Sequence, residues 1–243
     1  MKMARFSRIK RLLGEESFAA LQQSRVTVVG IGAVGGYAVE GLARAGVGGL
    51  RLVDFDTFEA SNINRQLHAL ESTLGRSKVE VAKERVLEIN PACQVETVNL
   101  FVDPDNLDQL LTPRPQLILD AIDSVESKVA LLSQAWQGNI PVLSAMGAAL
   151  RRDPTLIRLA DLHKTQKCPL ARQVRRRLHR AGVGEGIGCV YSLEEASFAS
   201  QSPLAVSEEE EGGAVRPLGS LPTITGIFGL TLANEAIRLL TSP

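Results

Sequence analysis

The stretch VTVVGIGAVGG, residues 26–36, constrains the fold more than any other part of the sequence. A strand-like apolar run leads into Gly30, Gly32 and Gly35, which form a G-x-G-x-x-G pattern. In this pattern the first two glycines let the backbone approach a phosphate, and the third lets the following helix pack closely on the strand. The helix N-terminus adds free N–H groups and a partial positive charge. The stretch therefore predicts a strand, a phosphate-binding turn and a helix, and it fits NAD and ATP equally.

Strand and helix patterns alternate along the first 150 residues. Apolar runs predict strands over 24–30, 48–56, 93–100, 115–123 and 140–145, and helical spacing predicts helices over 33–45, 76–90 and 127–139. This alternation predicts an α/β fold with a doubly wound, Rossmann-like, mostly parallel sheet. Ligands of such sheets bind at the carboxyl ends of the strands. The residues that follow predicted strands, and are expected in one crevice, are Gly30 to Gly35, Asp54, Asp56 and Asp123.

The remainder of the chain is less regular and predicts a C-terminal elaboration. We expect one domain over 1–243, with a core at about 24–150. Beyond that core, the patterns predict a strand over 155–162, a basic helix over 169–182, a mobile loop over 194–217 and a C-terminal helix over 223–240. The C-terminal helix contains Asn234, Glu235 and Arg238, so a buried or interfacial helix is favoured over a membrane span. Membrane association through this segment is left open.

Charge and cysteine usage exclude several classes of protein. Lys plus Arg and Asp plus Glu both number 27, so no overall charge indicates a polyanionic partner. The three cysteines are far apart and form no C-x-x-C pair, which predicts no zinc site and a reducing, cytoplasmic environment. Cys189 and His68 are expected to be structural residues. Cys168, beside the basic helix, is a candidate for an exposed thiol, and a role in sulfur transfer is left open.

The segment 54–91 favours ATP over NAD. It adds Asn62, Arg65 and Lys78 near the expected phosphates, and hydride transfer does not need these extra cations. An enzyme that cleaves ATP between its first and second phosphates does need them, because charge builds on the α-phosphate and the departing pyrophosphate. Asp123 follows a predicted strand and suits Mg²⁺, which takes one or two carboxylates plus phosphate oxygens. No acid or base for hydride transfer stands out, so an NAD dehydrogenase is disfavoured.

The motifs GIGAVG, VDFD, SNINRQ, GRSKVEVAKERVLEINP and DAIDS, in this order, resemble the ubiquitin-activating-enzyme superfamily of ThiF/MoeB adenylyltransferases. The resemblance implies a homodimeric enzyme that binds Mg-ATP, adenylates a carboxylate and releases pyrophosphate. The ATP-binding residues that it implies are Gly30, Gly32, Gly35, Asp54, Asp56 and Asn62, with Asp54 on the ribose. The catalytic residues that it implies are Arg65, Lys78, Asp123 as magnesium ligand, and an arginine supplied across the dimer. For that arginine Arg8 matches better, and Arg11 is the other option.

Distal segments resemble one branch of this superfamily more narrowly. NINRQLHAL, DLHKTQKCPLARQVRRRLHRAGV, CVYSLEE and GSLPTITGIFGLTLANEAIRLL resemble the tRNA threonylcarbamoyladenosine dehydratases. The resemblance implies ATP-dependent activation of the threonyl carboxylate of a modified adenosine next to the tRNA anticodon. A nucleophile tethered in the substrate then closes a ring, with net loss of water and release of AMP. Such a reaction needs no enzyme nucleophile, and the sequence has no evident Ser-His-Asp or Cys-His arrangement.

A basic patch is the local feature that points to RNA. It contains Arg172, Arg175, Arg176, Arg177 and Arg180, of which the first, third and last share one helix face. Such a patch can follow a phosphate backbone. The alternative is a solvated face paired with acids such as Glu208 to Glu211.

Two other functions stay open from the sequence. One is an adenylyltransferase that activates the C-terminus of a small sulfur-carrier protein; the missing C-x-x-C pairs count against it. The other is a non-catalytic adapter for a cysteine-desulfurase system or a membrane surface. The intact set of Asp54, Arg65, Lys78 and Asp123 counts against lost catalysis. A cysteine-desulfurase or other sulfur-transfer partner remains open in either case.

Overall fold

The computed structural model describes residues 5–196 and 218–242, which form a seven-stranded sheet covered by helices on both faces. The strands are β1 Arg25–Val29, β2 Gly49–Val53, β3 Gln94–Val98, β4 Leu117–Asp120, β5 Val142–Ala145, β6 Ile157–Asp161 and β7 Gly188–Ser192. Their order in the sheet is β3-β2-β1-β4-β5-β7-β6. All neighbours pair in parallel except β6 and β7. The predicted α/β fold with a mostly parallel, doubly wound sheet is confirmed.

The helices of the described residues are α1 Ser7–Leu13, α2 Glu15–Gln23, α3 Gly35–Ala45, α4 Lys78–Ile89, α5 Leu107–Leu111, α6 Val125–Gln137, α7 Pro169–Arg180 and α8 Pro222–Thr241. The sequence predicted α3, α4, α6, α7 and α8, whereas α1, α2 and α5 were not predicted. Single 3-10 turns cover Ala60–Asn62, Glu71–Thr73, Pro154–Leu156 and Leu162–Lys164. Most of the predicted mobile loop, residues 197–217, lies outside the described residues. The limits of the core domain, about 24–150, stay a prediction.

Two apolar layers hold the helices on the sheet. One layer contains the buried faces of α3, α4 and α8, with Leu42 and Phe228 fully buried. The other contains the buried faces of α6 and α7, with Leu131 and Val174 fully buried. Because parallel strands are covered on both faces, they carry continuous apolar runs rather than alternating ones. Every residue of β2 and β4 is accordingly buried.

The C-terminal helix α8 is a core element that packs on α3. A Cβ on Gly229 would lie only 2.3 Å from the carbonyl oxygen of Val34, so this position requires glycine for the helices to meet. Glu235 and Arg238, which counted against a membrane span, form an ion pair at 2.6 Å. Within the described ranges, no helix combines the length and apolar character needed to cross a bilayer.

Candidate active site

A cavity of about 610 Å³ opens at the carboxyl ends of the parallel strands. Its volume is within the usual range for small-molecule sites. Of the residues predicted to bind ATP or act on it, those lining the cavity are Gly30, Gly32, Asp54, Asp56, Arg65, Lys78 and Asp123. The structure thus brings together motifs that lie almost 100 positions apart in the sequence.

The glycine turn forms the floor of the cavity. Gly30 has a φ of +89°, which side-chain-bearing residues rarely adopt. A Cβ on Gly35 would lie 1.7 Å from the carbonyl oxygen of Gly30, so α3 can begin here only with glycine. Gly35 itself is buried as the first residue of the helix. Its role is to hold the N-terminus of α3 close to the strand, where free N–H groups favour an anion.

Asp54 connects the glycine turn to the end of β2. Its Oδ2 accepts a hydrogen bond from the Ile31 N–H at 2.6 Å, and its Oδ1 accepts one from the Asp56 N–H at 2.9 Å. Each carboxylate oxygen can accept a second hydrogen bond. Asp54 can therefore shape the turn and still accept hydrogen bonds from ribose hydroxyls.

Lys78 is a nearly buried cation at the start of α4. Its ammonium Nζ lies 2.8 Å from Asp56 Oδ2, with the lysine side chain 7% exposed and the aspartate 46% exposed. The Lys78 N–H also donates to the Asp56 carbonyl oxygen at 3.0 Å. Both contacts hold the ammonium at the cavity wall, where it can reach a phosphate bound over the glycine turn.

Arg65 and Asn62 belong to the loop that follows β2, and only Arg65 lines the cavity. The Arg65 guanidinium donates to the Ser61 carbonyl oxygen at 2.9 Å and to Asn64 Oδ1 at 3.0 Å. Asn62 is buried, and its Oδ1 accepts a hydrogen bond from the Glu59 N–H at 3.2 Å. Asn62 thus closes the 3-10 turn that precedes Arg65, and its contact with ATP stays a prediction.

The DAIDS motif contributes one exposed and one buried acid. Asp123 is exposed and lines the cavity, as expected. Asp120 is fully buried, and its Oδ2 lies 2.6 Å from the Nζ of the equally buried Lys128. The Ser144 hydroxyl donates to the same Oδ2 at 2.6 Å. This ion pair, which the sequence analysis missed, fixes the ends of β4 and β5 behind the cavity.

Arg8 does not line the cavity of its own chain. It is an exposed residue of α1, and Arg11 is also exposed. The ring of Phe6, next to α1, reaches within 3.3 Å of the place that a Cβ on Gly46 would take. Gly46 caps the end of α3 opposite the glycine turn, roughly 16 Å away along the helix.

The basic helix α7 begins at the rim of the cavity. Cys168, Pro169 and Leu170 line the cavity, and the rest of the helix extends from it. Four of the five predicted RNA-binding arginines line one shallow surface pocket of about 320 Å³, together with two histidines: Arg172, Arg175, Arg176, Arg180, His163 and His179. The three arginines predicted to share one helix face, Arg172, Arg176 and Arg180, are among them.

Two arginines of the patch, Arg175 and Arg177, have partners within the chain. The Arg175 guanidinium donates to the carbonyl oxygen and the hydroxyl of Thr165, at 2.9 Å and 2.8 Å. Arg177 lies 3.8 Å from a carboxylate oxygen of Glu126. Arg175 therefore also anchors the turn before α7, which the sequence pattern did not predict.

One cysteine, Cys168, differs from expectation in its burial. Cys168 is buried, so the expectation of an exposed thiol is wrong: its Sγ accepts a hydrogen bond from the Ala171 N–H at 3.5 Å at the start of α7. Cys189 is fully buried, as expected for a structural residue, and burial raises the pKa of its thiol to about 12. In the described ranges, no three His, Cys, Asp or Glu side chains cluster as a metal site would require.

His68 is buried beside the first turn of α3, and neither ring nitrogen has a hydrogen-bond partner in the part of the chain described. Burial lowers the pKa of its imidazole to about 4; the nearby Glu40 carboxylate raises it slightly and Arg85 lowers it.

The neutral His68 ring predicts a specific acid sensitivity. Since the unfolded chain takes up a proton near pH 6.5 and the folded ring only near pH 4, the stability contribution is complete above pH 6.5 and is lost between these values. The loss amounts to about 3 kcal/mol in the free energy of unfolding. Urea denaturation from pH 7 to pH 4 should show a flatter pH dependence for His68→Gln than for the wild type. The exposed His179→Gln should follow the wild type, and parallel curves for His68→Gln would contradict the prediction.

Two further polar side chains of the cavity wall, Gln66 and Arg151, were not predicted. Both are buried, and each has an atom without a hydrogen-bond partner in the described ranges: Gln66 Oε1 and Arg151 Nε. In the sequence, Arg151 is the first of two adjacent arginines and carries no motif signal.

Comparisons with known proteins agree with this geometry. A family model described as ThiF family matches residues 6–243. The tRNA threonylcarbamoyladenosine dehydratase of Bacillus subtilis (strain 168) is 38% identical over 204 residues, which are 84% of this chain and 78% of that protein. The crystal structures of E. coli tRNA N6-threonylcarbamoyladenosine dehydratase, TcdA, in complex with AMP and with ATP, each give a TM-score of 0.87, with 36% and 35% identity, over 98% of this chain and 94% of that chain. The molybdopterin-synthase adenylyltransferase of Salmonella typhimurium (strain LT2) is 38% identical, but over 63% of this chain and 61% of its own length.

Proposed function

The chain belongs to the ThiF family, and from that premise we propose that it is an ATP-dependent tRNA threonylcarbamoyladenosine dehydratase. One observation carries this proposal. A single cavity combines a glycine turn, cations and Asp123, and a basic helix extends from the rim of that cavity. The Bacillus subtilis protein named for this activity aligns over most of its own length and most of this chain. The molybdopterin-synthase adenylyltransferase aligns over less than two thirds of either chain.

The reaction has two steps. An oxygen of the threonyl carboxylate attacks the α-phosphorus of ATP, the bond to the β-phosphate oxygen breaks, and pyrophosphate leaves. The carboxylate becomes a mixed anhydride with AMP. A nucleophile of the same modified nucleoside then attacks the acyl carbon, AMP departs with the former carboxylate oxygen, and the nucleophile loses its proton. The attacking group is already tethered, so the second step gains from proximity and needs positioning rather than an enzyme nucleophile.

The cavity residues supply binding and charge stabilisation. N–H groups at the start of α3 donate hydrogen bonds to the phosphates, and Asp54 accepts hydrogen bonds from the ribose. Lys78 and Arg65 stabilise the negative charge that develops on the α-phosphate and on pyrophosphate. Asp56 holds the Lys78 ammonium at the wall until a phosphate replaces it as partner.

Magnesium fits the site through Asp123. Its exposed carboxylate at the cavity wall is a hard oxygen donor of the kind that Mg²⁺ takes together with phosphate oxygens. When bound, the ion neutralises phosphate charge and orients the leaving pyrophosphate.

The dimer and the location of the enzyme are also part of the proposal. The position of α1 at the far end of α3 supports a role for Arg8, or Arg11, in the cavity of a second subunit. We propose a cytoplasmic location because both substrates, ATP and tRNA, are present there. A sulfur-transfer partner is left open. The burial of Cys168 and Cys189 counts against a direct role for either thiol in such a transfer.

The basic face of α7 predicts a defined salt dependence. We expect Arg172→Ala/Arg176→Ala/Arg180→Ala to weaken tRNA binding and to reduce the slope of log affinity against log salt by about 2 to 3, because each lost phosphate contact removes part of the counterion release. Filter binding at several salt concentrations measures this slope. The exposed Arg158→Ala, on edge strand β6, is the control. An unchanged slope for the triple variant would remove α7 from the RNA interface.

The decisive test of the proposed function is nucleoside mass analysis. tRNA that contains threonylcarbamoyladenosine is incubated with the protein and Mg-ATP and digested under mild conditions, because the ring reopens easily. The nucleoside should lose one water, with one AMP per modified nucleoside. No mass change, together with AMP release that requires a sulfur-carrier protein, would instead support the adenylyltransferase alternative.

A further inference from the structure

Arg151 is a buried cation on the cavity wall. Only 2% of the residue is exposed, and its Nε has no hydrogen-bond partner among the described residues. Within the described ranges its guanidinium makes one hydrogen bond, from Nη1 to the neighbouring Leu150 carbonyl oxygen at 3.4 Å, which is long for this interaction. None of the ion pairs within residues 5–196 and 218–242 includes Arg151.

A buried guanidinium without a carboxylate partner is unfavourable. Buried charges in proteins are normally paired and hydrogen-bonded, because desolvation otherwise costs several kcal/mol per ion. Lys128, the other fully buried cation near the cavity, has such a partner in Asp120. Arg151 has no such partner, because its side chain lines the cavity. An anionic ligand in the cavity would complete its coordination.

The backbone around Arg151 is held in place. Leu150 has a φ of +60°, a left-handed conformation that costs on the order of 1 kcal/mol or more for such a residue. The Leu150 N–H donates to the Gly219 carbonyl oxygen at 2.9 Å, and the Arg152 N–H donates to Glu194 Oε2 at 2.8 Å. The guanidinium is therefore presented from a fixed segment rather than from a free loop.

The strand that precedes Arg151 and the strand that precedes the expected phosphate ligands are not neighbours in the sheet. Arg151 follows β5, whereas Asp54 and Asp56, the partner of Lys78, follow β2. Strands β1 and β4 separate β2 from β5 in the sheet, which at ~4.8 Å per strand puts the two strand ends roughly 14 Å apart. Gly147, in the segment that joins β5 to Arg151, contacts the start of the basic helix: a Cβ on it would lie 3.5 Å from Cys168 Sγ and 3.7 Å from Leu170 Cβ. The cavity thus has a cation, besides Lys78 and Arg65, in a segment that contacts the start of the basic helix.

We propose that Arg151 binds the threonyl carboxylate of the modified adenosine and positions it for attack on the α-phosphate; this assignment rests on the proposed function. A guanidinium donates two parallel N–H groups to a carboxylate, which fixes its plane as well as its position. It also offsets the repulsion between the carboxylate and the triphosphate. After adenylation, the same N–H groups donate to the acyl carbonyl oxygen and favour attack on the acyl carbon.

The test is a comparison of two RNAs without ATP. One is an anticodon stem-loop with threonylcarbamoyladenosine, and the other is identical except that the carboxylate is a primary amide. Wild-type protein should bind the carboxylate RNA about 10- to 100-fold more tightly, as charge-assisted bidentate pairs do. Arg151→Gln should lose this preference and keep its affinity for ATP. Arg152→Gln, at the adjacent exposed arginine, should retain it.

The outcomes distinguish the threonyl carboxylate from ATP as the anion that Arg151 binds, and a binding role from a structural one. An unchanged preference in Arg151→Gln would overturn the assignment, and so would a tenfold loss of ATP affinity, which would make ATP the ligand. A wild type that fails to dehydrate modified tRNA would instead remove the proposed function. Arg151→Met gives an independent readout: because it removes an unpaired buried charge, its melting temperature should equal or exceed that of the wild type. A fall of several degrees would mark Arg151 as a structural residue.

Discussion

Lys78→Met lowers the single-turnover rate of AMP formation by about a thousandfold, which is the largest catalytic effect that we expect from one side chain outside the glycine turn. The methionine keeps the apolar stem in its nearly buried position and removes the charge that we propose acts on the phosphates. Asp56, which loses its partner, is nearly half exposed and is solvated instead, so the fold should be retained.

Lys83→Met is the matched control for this prediction. Lys83 is on the same helix but does not line the cavity. Quenched-flow measurement of AMP with saturating modified tRNA gives the rate, and circular dichroism checks the fold. A loss of less than tenfold in Lys78→Met would show that the ammonium does not act on the phosphates.

Lys128→Met should reduce the free energy of unfolding by about 3 to 5 kcal/mol, because it leaves Asp120 charged and unpaired in the core. Ser144 still donates to the carboxylate, but one hydroxyl does not replace the ammonium. Urea denaturation at neutral pH measures the loss. The rate of AMP formation should fall as well, since the pair fixes the ends of β4 and β5 behind the cavity.

A double-mutant cycle separates pairing from packing. Asp120→Asn/Lys128→Met removes both charges and should be more stable than the sum of the single changes predicts, by at least 1 kcal/mol. The exposed pair Arg76 and Glu84 should give a much smaller coupling. Strict additivity at Asp120 and Lys128 would mean that the pair makes no net contribution to stability.

The local sequence pattern was enough to predict the fold and the position of the site. Sequence patterns predicted α3, α4, α6, α7 and α8 and most strands, and the rule that ligands bind at the carboxyl ends of parallel strands placed Gly30, Asp54 and Asp123 in one crevice. The strand β7, Gly188–Ser192, was missed because its place in the sheet depends on pairing with both β5 and β6.

The missed features all depend on contacts distant in sequence. Lys128 shares a helix face with the buried residues Leu131, Leu132 and Ala135, a periodicity that could have predicted its burial, but its pairing with Asp120 required the fold. Cys168 is buried by the packing of α7, which composition near a basic helix does not predict. Arg151 had no signal, because an unpaired buried charge is visible only once its surroundings are known.

The position of α7 has a consequence for how the enzyme selects its target nucleoside. The helix is about 18 Å long, starts at the reaction cavity and carries its three aligned arginines on one rigid rod. If these arginines bind RNA phosphates as proposed, a nucleoside enters the cavity only when the phosphates of its RNA lie at set distances from it. Target choice would then depend on the curvature of the anticodon loop rather than on base identity, so tRNAs with different anticodons but the same loop shape would react alike.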